Sequence, residues 1–193
     1  MRLNDETLKS LLSGEYAKIK PKQAFRYLYS SEELLRFKAA EALGILAKSN
    51  ARNYILRLFW LLSDESGAYC IGAPLAIAEI GRNNPDIFQS FKLKFLYLLE
   101  NEEVERSYVV YGIFRNSEIY KGTEAKTLLE KMASKFRDQK FLAYSAMAIW
   151  KLGGEVSWIL ERISKVQIYD GKDFVELDGR GLRELIEREL FYP

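Results

Sequence analysis

Apolar residues recur along this chain at spacings of three and four, with polar residues filling the intervals. In residues 36–48, RFKAAEALGILAK, the set Phe37, Ala40, Leu43 and Ala47 falls on one face of a helix. Ala39, Ala42 and Gly44 are small enough to admit a close helical neighbour. Residues 73–82 match this stretch when shifted by 37, placing Ala78-Glu79-Ile80-Gly81 on Glu41-Ala42-Leu43-Gly44. Residues 106–115 and 144–154 align further on, so the copies follow in steps of 37, 33 and 37 residues. Each copy is preceded by a second amphipathic segment, over 22–30, 51–62, 85–100 and 123–134, and Pro21 and Pro85 mark helix starts.

Two helices in a period of about 36 residues predict an α-solenoid, in which each pair buries its apolar face by stacking on its neighbours. The pattern predicts one domain over 1–193, with repeats at 21–49, 50–84, 85–121 and 122–154 and a C-terminal cap over 155–193. Within that cap, VQIYDGKDFVEL (166–177) alternates β-favouring residues around Asp170-Gly171 and predicts a hairpin. GLRELIEREL (181–190) predicts a last helix with Leu182, Leu185, Ile186 and Leu190 on its apolar side. Cap and helix would cover the last repeat; a strand that pairs with a partner by edge addition is the alternative.

The segment AAEALGILA, with Arg36, Ala39, Ala40, Ala42, Leu43 and Gly44, resembles the second helix of HEAT repeats. The similarity is to the short type first associated with phycobilisome lyases, whose second helix commonly reads Arg-x-x-Ala-Ala-x-Ala-Leu-Gly. Gly81, Gly112 and Gly153 stand near the equivalent place in the later copies, where Tyr and Val replace Ala in the third. The resemblance spans about residues 21–154 and implies an all-α fold, a right-handed solenoid of four to five helix pairs. It implies no single activity.

The second repeat carries an unusual join. Its helices are separated by residues 63–72, several more than the SSEE join of the first repeat, within WLLSDESGAYCIGAP at 60–74. Added residues in repeat arrays collect where a ligand is met. The candidate partner-binding residues are therefore Trp60, Asp64, Glu65, Ser66, Tyr69 and Glu79, the last able to face the loop if the loop folds over. Trp60 and Tyr69 would anchor, and Asp64 and Glu65 would select a basic or polar contact. An elaborate helix connection, with Gly67 turning and Pro74 opening a helix, explains the same residues without a partner.

Composition removes alternatives. The chain has no histidine, which excludes Ser-His-Asp and Cys-His activation, HExxH zinc sites and an imidazole proton shuttle. DESG lacks the GxSxG pattern of a nucleophile elbow. Cys70 stands alone, so no internal disulfide forms, and packing suits it better than chemistry. Neither a metal nor a cofactor is expected, and no catalytic set is identified. With 29 basic and 27 acidic residues the charge is too balanced to select nucleic acid. KIKPK at 18–22 with Arg26 forms a small basic cluster, read as a solvated helix entry or a phosphate contact. No run approaches the roughly 18 apolar residues of a membrane span, and the N-terminus lacks the apolar core of a secretory signal, so a cytoplasmic protein is expected.

The leading functional expectation is a HEAT-like scaffold that binds another protein through the 63–72 join or the concave face beside it. A HEAT-like DNA glycosylase is the alternative, suggested by Trp60, Asp64, Trp150 and the basic cluster and opposed by the balanced charge. A chromophore-lyase or chaperone role rests on the repeat subtype. Trp150 and Trp158 are expected to be buried by stacking.

Overall fold

Residues 33–47 carry an almost unbroken series of small and apolar side chains, and such a sequence can be buried on nearly every side. The computed structural model, which describes residues 5–63 and 69–188, places it so. Helix α3 (Glu33–Ala47) buries Leu35, Phe37, Ala39, Ala40, Ala42, Leu43, Gly44 and Ala47. Around it lie α1 (Asp5–Ser13), α2 (Pro21–Tyr27), α4 (Ala51–Leu62) and α5 (Ala73–Asn83), the last buried from Ala73 to Gly81. α3 packs on α2 and, most extensively, on α5, while α4 also packs on α5. The chain continues through α6 (Pro85–Phe88), α7 (Lys92–Leu96) and α8 (Arg106–Arg115), then α9 (Ser117–Tyr120), α10 (Ala125–Lys135), α11 (Gln139–Lys151) and α12 (Ser157–Leu160). Strands β1 (Val166–Tyr169) and β2 (Phe174–Leu177) and helix α13 (Gly179–Glu187) complete the fold.

The fold is thus mostly helical with one small antiparallel sheet among the described residues, as the sequence predicts at that level. The chain clusters into two compact units, Met1–Gly112 and Ile113–Pro193. Among the described residues no helix is long and apolar enough to cross a membrane.

In the first unit, close approach depends on glycine. A Cβ at Gly44 would lie 2.7 Å from the backbone oxygen of Glu79 on α5, and one at Gly112 would lie 2.5 Å from the Phe95 ring and 2.7 Å from Ala78. Among the described residues of this unit, the buried charged side chains Arg36, Lys38 and Glu79 each have a partner. Arg36, 8% exposed, donates from Nε and Nη2 to the Tyr108 hydroxyl at 3.0 and 2.6 Å, and from Nη1 to the carbonyl oxygens of Ser30 and Ser31. The Tyr108 hydroxyl in turn donates to Glu33 at 2.8 Å. Arg36 thereby ties the α2–α3 turn to α8.

In the second unit α11 is the central helix, buried from Phe141 to Ile149 and capped by Asp138, which accepts from the Phe141 N–H at 2.7 Å. It ends in a glycine cap: Gly153 has φ of 76°, its N–H donates to Trp150, and the Gly154 N–H donates to Ile149. Gly153 therefore stops a helix, unlike Gly44 and Gly112, which pack against neighbours. The hairpin rests on α11, where the Tyr144 hydroxyl accepts the Tyr169 N–H at 3.0 Å, and Leu182 and Ile186 of α13 are buried.

Four expectations need correction. The helix expected over 85–100 is divided into α6, α7 and a 3-10 turn, Tyr97–Glu100. Tight bonds from Ser90 N–H to Ile87 and Phe91 N–H to Phe88, with the Ser90 hydroxyl also donating to Ile87, break the α ladder there. The hairpin turn centres one residue later than Asp170-Gly171: Asp170 N–H donates to Asp173 across Gly171-Lys172, and Gly171 takes φ of 98°. The last helix begins at Gly179, with Asp178 accepting the Gly181 N–H as its cap; Leu185 is half-buried and Leu190 lies outside the described residues. Trp150 and Trp158 are half-buried, because each lies near the end of its helix, where neighbours cover one side.

Two stability measurements follow. Gly44→Ala should destabilise the protein by about 1–3 kcal/mol, since a backbone oxygen cannot rotate away from the new methyl group; urea unfolding midpoints read this directly. Tyr108→Phe should cost about 1–3 kcal/mol by leaving buried Arg36 donors without their acceptor, again read by urea unfolding.

Candidate functional site

Two helices of the first unit each carry a stripe of side chains at helical spacing. On α2 and its C-terminal turn, Lys22, Arg26 and Tyr29 stand at i, i+4 and i+7; on α4, Tyr54, Arg57 and Leu61 stand at i, i+3 and i+7. The fold turns the two stripes toward one cleft of about 810 Å³, lined by these six residues and Phe25. Phe25 joins the walls. Its ring centroid lies 5.5 Å from that of Tyr54 and 5.1 Å from the Arg57 guanidinium carbon, which is held over the ring face.

The electrostatics of the cleft are one-sided. Lys22, Arg26 and Arg57 are exposed, no carboxylate is among the lining residues, and none of the three forms an ion pair among the described residues. Three cations along one cleft repel one another, and an anion placed among them relieves that repulsion. Phe25 and Leu61, 8% and 7% exposed, form an apolar floor, and Tyr29 is 45% exposed at its edge.

The sequence-derived candidates distribute differently. Trp60 is 61% exposed and, with Leu56 at 45%, lies on the outward ridge of α4. Asp64, Glu65 and Ser66 lie outside the described residues. Tyr69 is half-buried and meets the turn before α8: its hydroxyl approaches the Glu105 backbone, and burial pushes its pKa up to about 12. Glu79 is fully buried, accepting from Arg82 Nε at 2.8 Å and the Tyr111 hydroxyl at 3.1 Å. Its carboxylate meets Tyr111 of α8 and is closed to solvent, so it offers no exposed contact to a partner. Among the described residues no group of three or more Cys, Asp and Glu side chains is placed to hold a metal ion.

Arg57, Tyr54, Tyr29 and Leu61 are the residues that sequence reasoning missed. The 54/57/61 spacing was present in the chain, but the polar face of an amphipathic helix carries no sign of what lies opposite. Lys22 and Arg26 were visible as a basic cluster, and the fold adds the third cation from α4.

No family model matches the chain. It is 51% identical over 164 residues to a protein of Archaeoglobus fulgidus described as an uncharacterized protein, an alignment covering 81% of this chain and 90% of that one. The chain belongs to the family of that archaeal protein. No solved structure matches.

Cys70, fully buried beside this region, has its thiol pushed up to about 11 by burial. At mildly alkaline pH it should react with iodoacetamide at least about a hundredfold more slowly in the native protein than in urea, given its ordinary value near 9. Because the folded thiol titrates above the unfolded one, its contribution to stability is whole below pH 9 and declines as pH rises through 11.

Proposed function

We propose that the protein is a recognition module whose first unit engages a partner protein through the outward ridge of α4 and the 63–72 join that follows it. The carrying observation is Trp60: a tryptophan left 61% exposed, one turn from exposed Leu56, at the C-terminal end of the helix that leads into the join. Large aromatic side chains dominate interface energetics, and solvating one without a partner serves no packing purpose. Tyr69 closes the far end of the join, so two aromatic residues bracket the segment that carries Asp64 and Glu65.

We also read the paired helices as HEAT-like units of a right-handed solenoid. The support is the recurrence of glycine where helices come close: Gly44 against α5, Gly81 against Phe88 and Gly112 against Phe95 and Ala78. Such arrays serve as scaffolds more often than as enzymes, and a scaffold role accounts for exposed aromatic residues in a chain without histidine.

The test compares wild type with Trp60→Ala and with Asp64→Ala/Glu65→Ala, each matched for helicity and melting temperature, in quantitative capture from native extract. A protein retained by wild type should fall at least about tenfold with Trp60→Ala, the loss expected when a buried aromatic anchor is truncated. Equal retention by wild type and both variants overturns the reading.

A further inference from the structure

The cleft between α2 and α4 has a chemistry that a protein-docking ridge does not require. Its cations are unpaired among the described residues, its floor is apolar, and its walls present the rings of Tyr29 and Tyr54. Both walls are helical, so they offer no strand edge to which an extended peptide could add. Recognition must come from cationic side chains and ring faces. Those two contact types, in one groove, are what a nucleotide uses: phosphate on the cations and base on the rings. A volume of about 810 Å³ falls within the range of about 300–1,000 Å³ typical of small-ligand sites.

We propose that the α2–α4 cleft binds phosphate-and-base units, the chemistry shared by single-stranded nucleic acid and a free nucleotide. Lys22, Arg26 and Arg57 take the phosphates, and Tyr29 and Tyr54 stack on the bases. The guanidinium of Arg57, already held over Phe25, is the anchored member of the three and needs little reordering on binding. Net charge does not oppose this, because a local field depends on how charges are sorted and not on their sum.

The site is independent of the Trp60 ridge, since Trp60 is not among the lining residues. Its test uses the full chain and fluorescence anisotropy with two probes, a labelled ten-nucleotide polyuridine and labelled AMP. Saturable binding of polyuridine is expected, weakened at least tenfold by Arg26→Ala/Arg57→Ala, several-fold by Tyr54→Leu, and unchanged by Trp60→Ala. The affinity should fall with salt at a log–log slope of about −2, the value for three phosphates on a single strand. Lys131→Ala/Lys135→Ala, which removes two exposed cations from α10, keeps total charge equal to that of the arginine pair and should leave binding intact.

Polyuridine bound at least tenfold more tightly than AMP assigns the cleft to single strands, and AMP bound as tightly assigns it to a free nucleotide. Binding of neither probe overturns the proposal, as does binding that survives Arg26→Ala/Arg57→Ala. Displacement of polyuridine by polyglutamate at matched charge, with the same residue dependence and no effect of Tyr54→Leu, also overturns it and makes the cleft a site for an acidic protein segment. Circular dichroism and melting temperature confirm that each variant is folded.

Discussion

At the α3–α5 contact, one helix reaches the backbone of the other: an added methyl group at Gly44 would stand 2.7 Å from the Glu79 carbonyl oxygen. Larger side chains would hold the axes apart and open space that nothing in the sequence fills. With Ala39, Ala40 and Ala42 on α3 and Ala76 and Ala78 on α5 all buried, the two helices form a narrow centre on which α2 and α4 can both pack. The positions of Phe25, Tyr54 and Arg57 at the cleft follow from that arrangement. A thicker centre would move α2 and α4, and the Phe25–Tyr54 contact that joins the cleft walls would be the first to open.

Central packing of this kind also obliges the buried charges to find partners. Arg36 and Lys38 are 8% and 5% exposed, and Glu79 is sealed completely. Each has a defined neighbour: Tyr108 and two turn carbonyls for Arg36, Glu41 for Lys38, and Arg82 with Tyr111 for Glu79. Tyr16 reaches Glu41 from the Tyr16–Lys18 turn, and burial together with that carboxylate holds its hydroxyl well above the usual tyrosine range. These pairs fix which helix faces which, because an unpartnered buried charge costs far more than the pair returns.

Helical periodicity made α4, α5 and α8 legible close to their ends, whereas the segment read over 144–154 caught only the later part of α11 and ran into its glycine cap; the alternation in 166–177 marked both strands of the hairpin. Failures came where the same periodicity describes two structures. Phe88, Phe91, Phe95 and Leu99 are all buried and keep spacings of three and four across 85–100, so the break after Phe88 leaves no trace in the apolar pattern. Glu79 illustrates a second limit: a carboxylate within an apolar helical face reads as an outward projection until Tyr111 and Arg82 are seen around it. The cleft was half legible. Lys22 and Arg26 are close in sequence, whereas Arg57 lies on another helix, and only the α2–α3–α5–α4 packing order makes them neighbours of one cavity.

Charge sorting connects these observations to binding. The total of 29 basic and 27 acidic residues conceals an uneven distribution in the first unit. Glu33, Glu41 and Glu79 accept from tyrosines that pack inside this unit, and Glu15 is held by Lys18, so these carboxylates are occupied where they stand. The cleft cations have no such commitment among the described residues. A field that survives in this way is directional: it is strongest where low-dielectric walls such as Phe25 and Leu61 limit screening by solvent. The consequence is a surface that is positive at the α2–α4 cleft and apolar at exposed Trp60 and Leu56 on the next face of α4. One helix thus carries two chemically distinct surfaces on adjacent faces, a cationic one at Arg57 and an apolar one at Leu56 and Trp60.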